Sequence, residues 1–497
     1  MNDDQPLDPA QAGLGDMDPQ AFRAHAHRLV DWIADYLAEI DRYPVAARVA
    51  PGEIKGALPG EPPLAPEPMA RILADFERRV LPGITHWNHP GFMGYFGITG
   101  SGPGILGELL AAALNVNAML WQTSPAATEL EELILDWLRQ LLGLPPGFFG
   151  VINDTASSSS LYALAAAREA LDDLQIRRHG LAGRPDVPRL RLYASEEAHS
   201  SIEKAAIVLG LGQEGLRKIP TDDTFRMDPA ALAAAIAQDR AAGWRPFAVV
   251  AVVGTTSTTS IDPVPAIAEL CRRERLWLHV DAAYGGCAAV VPELRWVLEG
   301  CEHADSLVVN PHKWLFTPID CSVLYTRRPD MLRAAFSLVP EYLQTAERGA
   351  VTNLMDYGVA LGRRFRALKL WFILRYFGRE GIAARIREHV RLAHELAGWI
   401  DAAPDFERLA PVPFSTVNFR YHPRALDAAD PAAELRLEEL NRRLEAAVNA
   451  TGHTFISHTR IRGRYALHAA IGNLRTTGTH VARLWTLLQQ LAPSVSS

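Results

Sequence analysis

The stretch Leu276-Trp277-Leu278-His279-Val280-Asp281-Ala282-Ala283-Tyr284-Gly285-Gly286 decides how the fold is read. It opens as a short, nearly continuous apolar run and ends in an aspartate followed by small residues. A strand apolar on both pleat faces has to be covered on both sides, which is the situation of a mostly parallel sheet flanked by helices. Working outward, similar runs occur at 190–194, 247–253 and 306–309. Long helical patterns separate them, as parallel crossovers require. Helical periodicity at 104–115 and 125–142 leads into this region through a turn rich in Gly and Pro. Beyond about residue 368 the chain reads as largely helical, with strand signals near 414–420 and 465–471, a smaller α+β unit. The expected division is 1–100, 101–368 and 369–497.

Before the sheet region, residues 18–40 place Phe22, Ala26, Leu29, Ile33, Tyr36, Leu37 and Ile40 on one helical face, and Asp18-Pro19 supplies the start. That face needs a surface to cover, either its own domain or a partner subunit. Residues 44–68 carry seven prolines and read as an extended connection. A second helix is expected over 67–80. The 497 residues hold 50 Lys+Arg against 57 Asp+Glu, a net charge of −7, which argues against a chain-wide basic surface for nucleic acid or anionic membrane. No apolar run approaches the roughly 20 residues that cross a bilayer. The beginning MNDDQPLDPA lacks the pattern of a secretory signal. Four sparse cysteines, Cys271, Cys287, Cys301 and Cys321, read as reduced thiols without metal spacing. A cytoplasmic enzyme with no metal is expected.

Five segments carry chemistry, in a fixed order along the chain. Asp154-Thr155-Ala156-Ser157-Ser158-Ser159-Ser160 precedes a helical run, and hydroxyls with free N–H groups at a helix start suit a phosphate. Ala198-His199-Ser200-Ser201 follows a strand and offers a histidine able to stack on a ring. Gly254-Thr255-Thr256-Ser257-Thr258-Thr259 places hydroxyls at another strand end. Asp281 could accept a hydrogen bond from a protonated pyridine nitrogen and keep it positive. Lys313, in Val309-Asn310-Pro311-His312-Lys313-Trp314, could form a Schiff base with an aldehyde cofactor. Singly, each has a plain alternative: a cap, a loop histidine, a turn, a helix N-cap, a solvated lysine. The combination points to one site.

These motifs resemble the group II pyridoxal-phosphate decarboxylases. N-P-H-K-W around Lys313, H-V-D-A-A-Y around Asp281 and A-H-S-S around His199 carry the resemblance, which runs from about residue 20 into the C-terminal region. His86-Trp87-Asn88-His89-Pro90 and Leu361-Gly362-Arg363-Arg364-Phe365-Arg366 are similar to the aromatic-L-amino-acid decarboxylases in particular. The resemblance implies an α/β fold of fold-type I, with a mostly parallel seven-stranded sheet flanked by helices, an N-terminal helical segment and a small α+β C-terminal domain. It implies pyridoxal 5'-phosphate as cofactor, a small amino-acid substrate, and a homodimer whose active site lies at the subunit interface. Lys313 would hold the cofactor as a Schiff base, Asp281 would pair with the ring nitrogen, and His199 would stack on the face opposite Ala283. Thr155, Ala156 and Ser157 would cradle the phosphate with help from Asn310, while Thr256 and His312 would sit nearby. Tyr342 would give a proton to Cα from a mobile loop. Tyr95, Phe96, Ile98, Met119, Leu120 and Gly362 would line the substrate pocket, some from the partner chain. Asp154 stands where many relatives have Gly, and its carboxylate is expected to turn from the phosphate toward a backbone N–H. The implied reaction is decarboxylation of an aromatic L-amino acid to its amine. The alternative is an oxidative aldehyde synthase of the same family, disfavoured by the presence of Tyr342 and His199.

Overall fold

The computed structural model describes residues 11, 13, 15–338, 350–426 and 431–495. The large sheet has seven strands: β1 (Phe149–Asn153), β2 (Leu190–Ser195), β3 (Leu216–Ile219), β4 (Arg245–Val252), β5 (Trp277–Asp281), β6 (Ser306–Val309) and β7 (Ser322–Thr326). Their order is β1-β7-β6-β5-β4-β2-β3. Pairings among β3, β2, β4, β5 and β6 are parallel, and β7 alone runs against its two neighbours. The expected strands at 190–194, 247–253, 276–280 and 306–309 are therefore the parallel centre of the sheet. Both faces are covered: Val249 and Ala251 of β4 join one apolar core, while Ala248 and Val250 join the other. This alternation is why the runs lack a polar face.

A four-stranded antiparallel sheet follows, of β8 (Phe406–Arg408), β9 (Thr416–Tyr421), β10 (Ser457–Ile461) and β11 (Arg464–Ala470), in the order β10-β11-β9-β8. Two helical segments broken at Gly378 (φ +61°) span Arg366–Ala402 and join the two sheets, and their residues enter the large core at Ala367–Ile386 and the small core at Leu392–Ile400. The N-terminal helix spans Pro19–Ala38, capped by Asp18, whose Oδ2 accepts the N–H groups of Gln20 at 2.8 Å and Ala21 at 3.1 Å. None of its residues is buried, and Phe22 is 60% exposed. Among the described residues no helix is long and apolar enough to cross a membrane.

Parallel strands end together, so the turns after β2, β4, β5 and β6 gather at one edge of the sheet, where α/β folds bind ligands. Gly254 sits there at φ +92°, and a Cβ on it would lie 3.0 Å from the Gly285 nitrogen. Glycine at both places lets the loop after β4 pass against the turn after β5.

Candidate active site

Lys313 occupies the helical turn Pro311–Trp314 directly after β6. Its Nζ lies 5.1 Å from the centre of the Phe96 ring. Burial lowers its pKa from the usual lysine value, with Asp281 and Cys287 opposing the shift. An amine more readily deprotonated is a better nucleophile toward an aldehyde. Asp281 ends β5 and is buried; its Oδ1 accepts the Ala283 N–H at 3.1 Å. His199 caps helix Ser200–Val208, and its Nδ1 accepts from the Ser201 N–H at 3.2 Å. That bond fixes the tautomer and leaves Nε2 as the N–H. Burial lowers the His199 pKa, opposed by Asp281 and reinforced by Lys313. The three side chains thus share one electrostatic site.

Thr155 caps helix Ala156–Glu169, its Oγ1 accepting from the Ser158 N–H at 3.4 Å. Among the described residues the N–H groups of Ala156 and Ser157 have no acceptor, as the first turn of a helix leaves them. Asp154 Oδ1 accepts the Thr155 N–H at 2.7 Å, in line with the expected turn toward backbone. The serine run divides into two tasks, which the sequence does not separate. Ser159 bonds Ser322 at 3.0 Å, and Ser160 bonds His279 Nε2 at 3.1 Å. Trp277 Nε1 donates to Ser306 Oγ at 2.9 Å, and Ser306 lies 2.9 Å from His279 Nδ1. This buried chain pins the helix start to β5 and β6, and burial pushes the His279 pKa down to about 4, so the ring is neutral.

The hydroxyl loop also divides. Thr255, Thr258 and Ser260 bond one another at 2.8–3.0 Å and are buried, while Thr256 is exposed. Asn310 and His312 are both buried, with Asn310 Nδ2 3.3 Å from His312 Nε2. Of the residues expected to line the pocket, Phe96 stands at the lysine. It stacks on Tyr284 at 4.0 Å, and Tyr284 stacks on Trp314 at 4.6 Å. Trp314 Nε1 donates to His389 Nδ1 at 3.0 Å, anchoring the residue after the lysine. Tyr95 is exposed at φ +54°, stacked on Trp87, and Ile98 is half-buried. Met119 and Leu120 pack with Met355, and among the described residues a Cβ on Gly362 would meet Asn117 Nδ2 at 3.9 Å. Tyr342 lies outside the described residues. Sequence reading missed Tyr284, Trp314 and Cys287. Tyr284 and Trp314 stood inside the motifs around Asp281 and Lys313, and only the stack of Phe96 on Tyr284 and of Tyr284 on Trp314 reveals their part.

An aldehyde cofactor bearing a basic ring nitrogen and a phosphate finds a partner here for each group: the Lys313 amine, the buried Asp281 carboxylate, and helix N–H groups that have no acceptor among the described residues. The residues fit pyridoxal 5'-phosphate, and fold and site together define a fold-type I pyridoxal-phosphate enzyme. Residues 51–422 match the pyridoxal-dependent decarboxylase conserved domain. The chain is 39% identical to tyrosine decarboxylase 3 of Petroselinum crispum, over 99% of this chain and 95% of that one. It is 38% identical to a phenylacetaldehyde synthase of a Rosa hybrid cultivar, over 97% and 96%. A crystal structure of Oryza sativa TDC with PLP and tryptamine superposes with a TM-score of 0.92 at 37% identity, covering 98% of this chain and all of that one. The chain belongs to the pyridoxal-dependent decarboxylase family, and is a carboxy-lyase that uses pyridoxal phosphate.

Proposed function

We propose that the protein removes the α-carboxylate of an aromatic L-amino acid to give the amine and carbon dioxide. The observation that carries this is the aromatic wall at the lysine, with Phe96 5.1 Å from Lys313 Nζ and backed by Tyr284. A flat apolar side chain gains most from such a wall. Bound through an imine, pyridoxal phosphate supplies an electron sink for the pair left at Cα when the carboxylate departs. Lys313 would hold the cofactor through its amine. Asp281 would keep a proton on the ring nitrogen, and His199 and Ala283 would bracket the ring. Thr155, Ala156, Ser157 and Asn310 hold the phosphate, with Thr256 and His312 beside them. Tyr342 would donate a proton to Cα in place of the lost carboxylate by general acid catalysis, a role that rests on the resemblance alone.

Two further readings belong with this one. The protein is a cytoplasmic homodimer completing its active site at the subunit interface, with each chain divided into 1–100, 101–368 and 369–497. What supports the dimer is apolar surface the chain leaves open: Phe22, Leu29 and Val30 on the first helix, and Leu106, Leu109, Leu110 and Leu114 on helix Gly102–Leu114. Aldehyde formation is the second reaction to consider, because a phenylacetaldehyde synthase is as similar over the whole chain as the decarboxylases are. The test is amine formation from L-tyrosine and L-tryptophan by the cofactor-loaded enzyme, with Lys313→Ala as control. Amine from wild type and none from the variant is expected; equal turnover by the variant overturns the assignment.

A further inference from the structure

The Cys321 N–H donates to His312 Nδ1 at 2.8 Å. A backbone N–H can only donate, so Nδ1 carries no proton. Burial pushes the ring's pKa down to about 4, leaving it neutral, with its single N–H on Nε2. The group facing Nε2, at 3.3 Å, is the Asn310 side-chain amide. With Nδ2 turned to the ring, two donors would meet, and the amide oxygen would be buried with no partner among the described residues. A half-turn about χ2 removes both faults, since amide O and N occupy nearly the same space. Oδ1 then accepts from Nε2–H, and the NH2 group takes the place of the orphaned oxygen as a donor in need of an acceptor.

The acceptor's chemistry follows from position. Asn310 lies three residues before Lys313, and its carbonyl accepts the Lys313 N–H at 2.9 Å. The fields of Lys313 and of Asp154, at the start of helix Ala156–Glu169, both reach the His312 ring. In the proposed function this amide stands with Thr155, Ala156 and Ser157 at the cofactor phosphate, an acceptor that a side-chain NH2 suits. We propose that His312 is a positioning residue whose tautomer, fixed by the Cys321 backbone, turns the Asn310 amide so that its NH2 faces the phosphate of the bound cofactor. This rests on the cofactor assignment above. His312 touches neither substrate nor cofactor in this role; it acts through Asn310.

The first test is 15N NMR of His312 in the holoenzyme, where Nδ1 unprotonated and Nε2 protonated is expected and the reverse tautomer overturns the proposal. The second compares the dissociation constants of pyridoxal phosphate and of pyridoxal, which lacks the phosphate, each measured from the absorbance of the Lys313 imine. His312→Phe and Asn310→Ala are each expected to weaken the phosphate form about 10- to 100-fold, the scale of one charge-assisted hydrogen bond, and leave pyridoxal nearly unchanged. The double variant should be no worse than either single one, and His312→Gln, which restores an N–H donor, should recover most of the loss. Equal weakening of both ligands by His312→Phe would mean a merely structural role and overturn the proposal. Absence of any imine in the wild-type protein would instead sink the cofactor assignment, which keeps the two failures distinct.

Discussion

At the scale of single residues, Lys313 and Asp281 were legible because their chemistry is scarce and their order along the chain is specific. The two halves of Ser157–Ser160 were not, because composition does not say which side of a helix start each hydroxyl takes. Ser159 and Ser160 serve the core, where they bond Ser322 and His279. The residues expected to line the pocket also differ in place within one chain: Phe96 meets the lysine, whereas Met119 and Leu120 pack on Met355. Asp281→Asn, which keeps the shape and removes the charge, should lower kcat by about 10²–10³, the usual loss when one preorganised electrostatic partner is removed. Steady-state kinetics on fully loaded enzyme would show it. Tyr342→Phe should shift the product from amine toward aldehyde, read by chromatography of the reaction mixture; an unchanged amine yield would remove Tyr342 from the proton-donor role.

Among elements, the central strands were legible because each is buried on both faces and carries no polar alternation. β1, β3 and β7 were not singled out. β1 mixes Gly150 and Asn153 into its five residues, β3 is a four-residue edge carrying Arg217 and Lys218, and β7 returns antiparallel soon after the lysine turn. What ties β1 to the site region is a buried ion pair. Arg363 Nη2 lies 2.8 Å from Glu131 Oε1 and donates to the Ile152 carbonyl at 2.7 Å, while Glu131 accepts the Ile152 N–H at 2.8 Å. Both side chains are nearly inaccessible. Glu131→Gln leaves the Arg363 charge buried without its counter-ion, which should cost about 3–5 kcal/mol of stability. A urea titration reads this as a lower midpoint with an unchanged slope.

For the molecule as a whole, the early amphipathic helix was legible, but whether it covered its own domain or a partner was not. Its open face, with Phe22 60% and Leu29 42% exposed, supports the partner reading. Phe22→Asp with Leu29→Asp should shift the protein toward monomer in sedimentation equilibrium and lower activity in parallel. Stability should also depend on pH in a definite direction. His89, His279, His312, His389 and His468 are each pushed by burial from 6.5 to about 4 in the folded state. The unfolded chain therefore binds more protons between those values, and stability present above about pH 6.5 is lost as pH falls toward 4. Asp262, pushed up to about 6 by burial, works the other way, as do Glu169, Glu197 and Asp305, which burial raises, while burial also lowers His86, His199 and His480 and adds them to the five histidines. Thermal melts from pH 7 to 5 should show a falling Tm; a rising one would contradict the neutral buried histidines.

The most direct test of the central claim is mass spectrometry of products from the cofactor-loaded protein incubated in air with L-tryptophan, 5-hydroxytryptophan, L-tyrosine, L-phenylalanine, dihydroxyphenylalanine, L-histidine and L-glutamate. An aromatic amine formed in proportion to substrate lost is the predicted result, and aldehyde with peroxide, or turnover of glutamate in preference to every aromatic substrate, would contradict it.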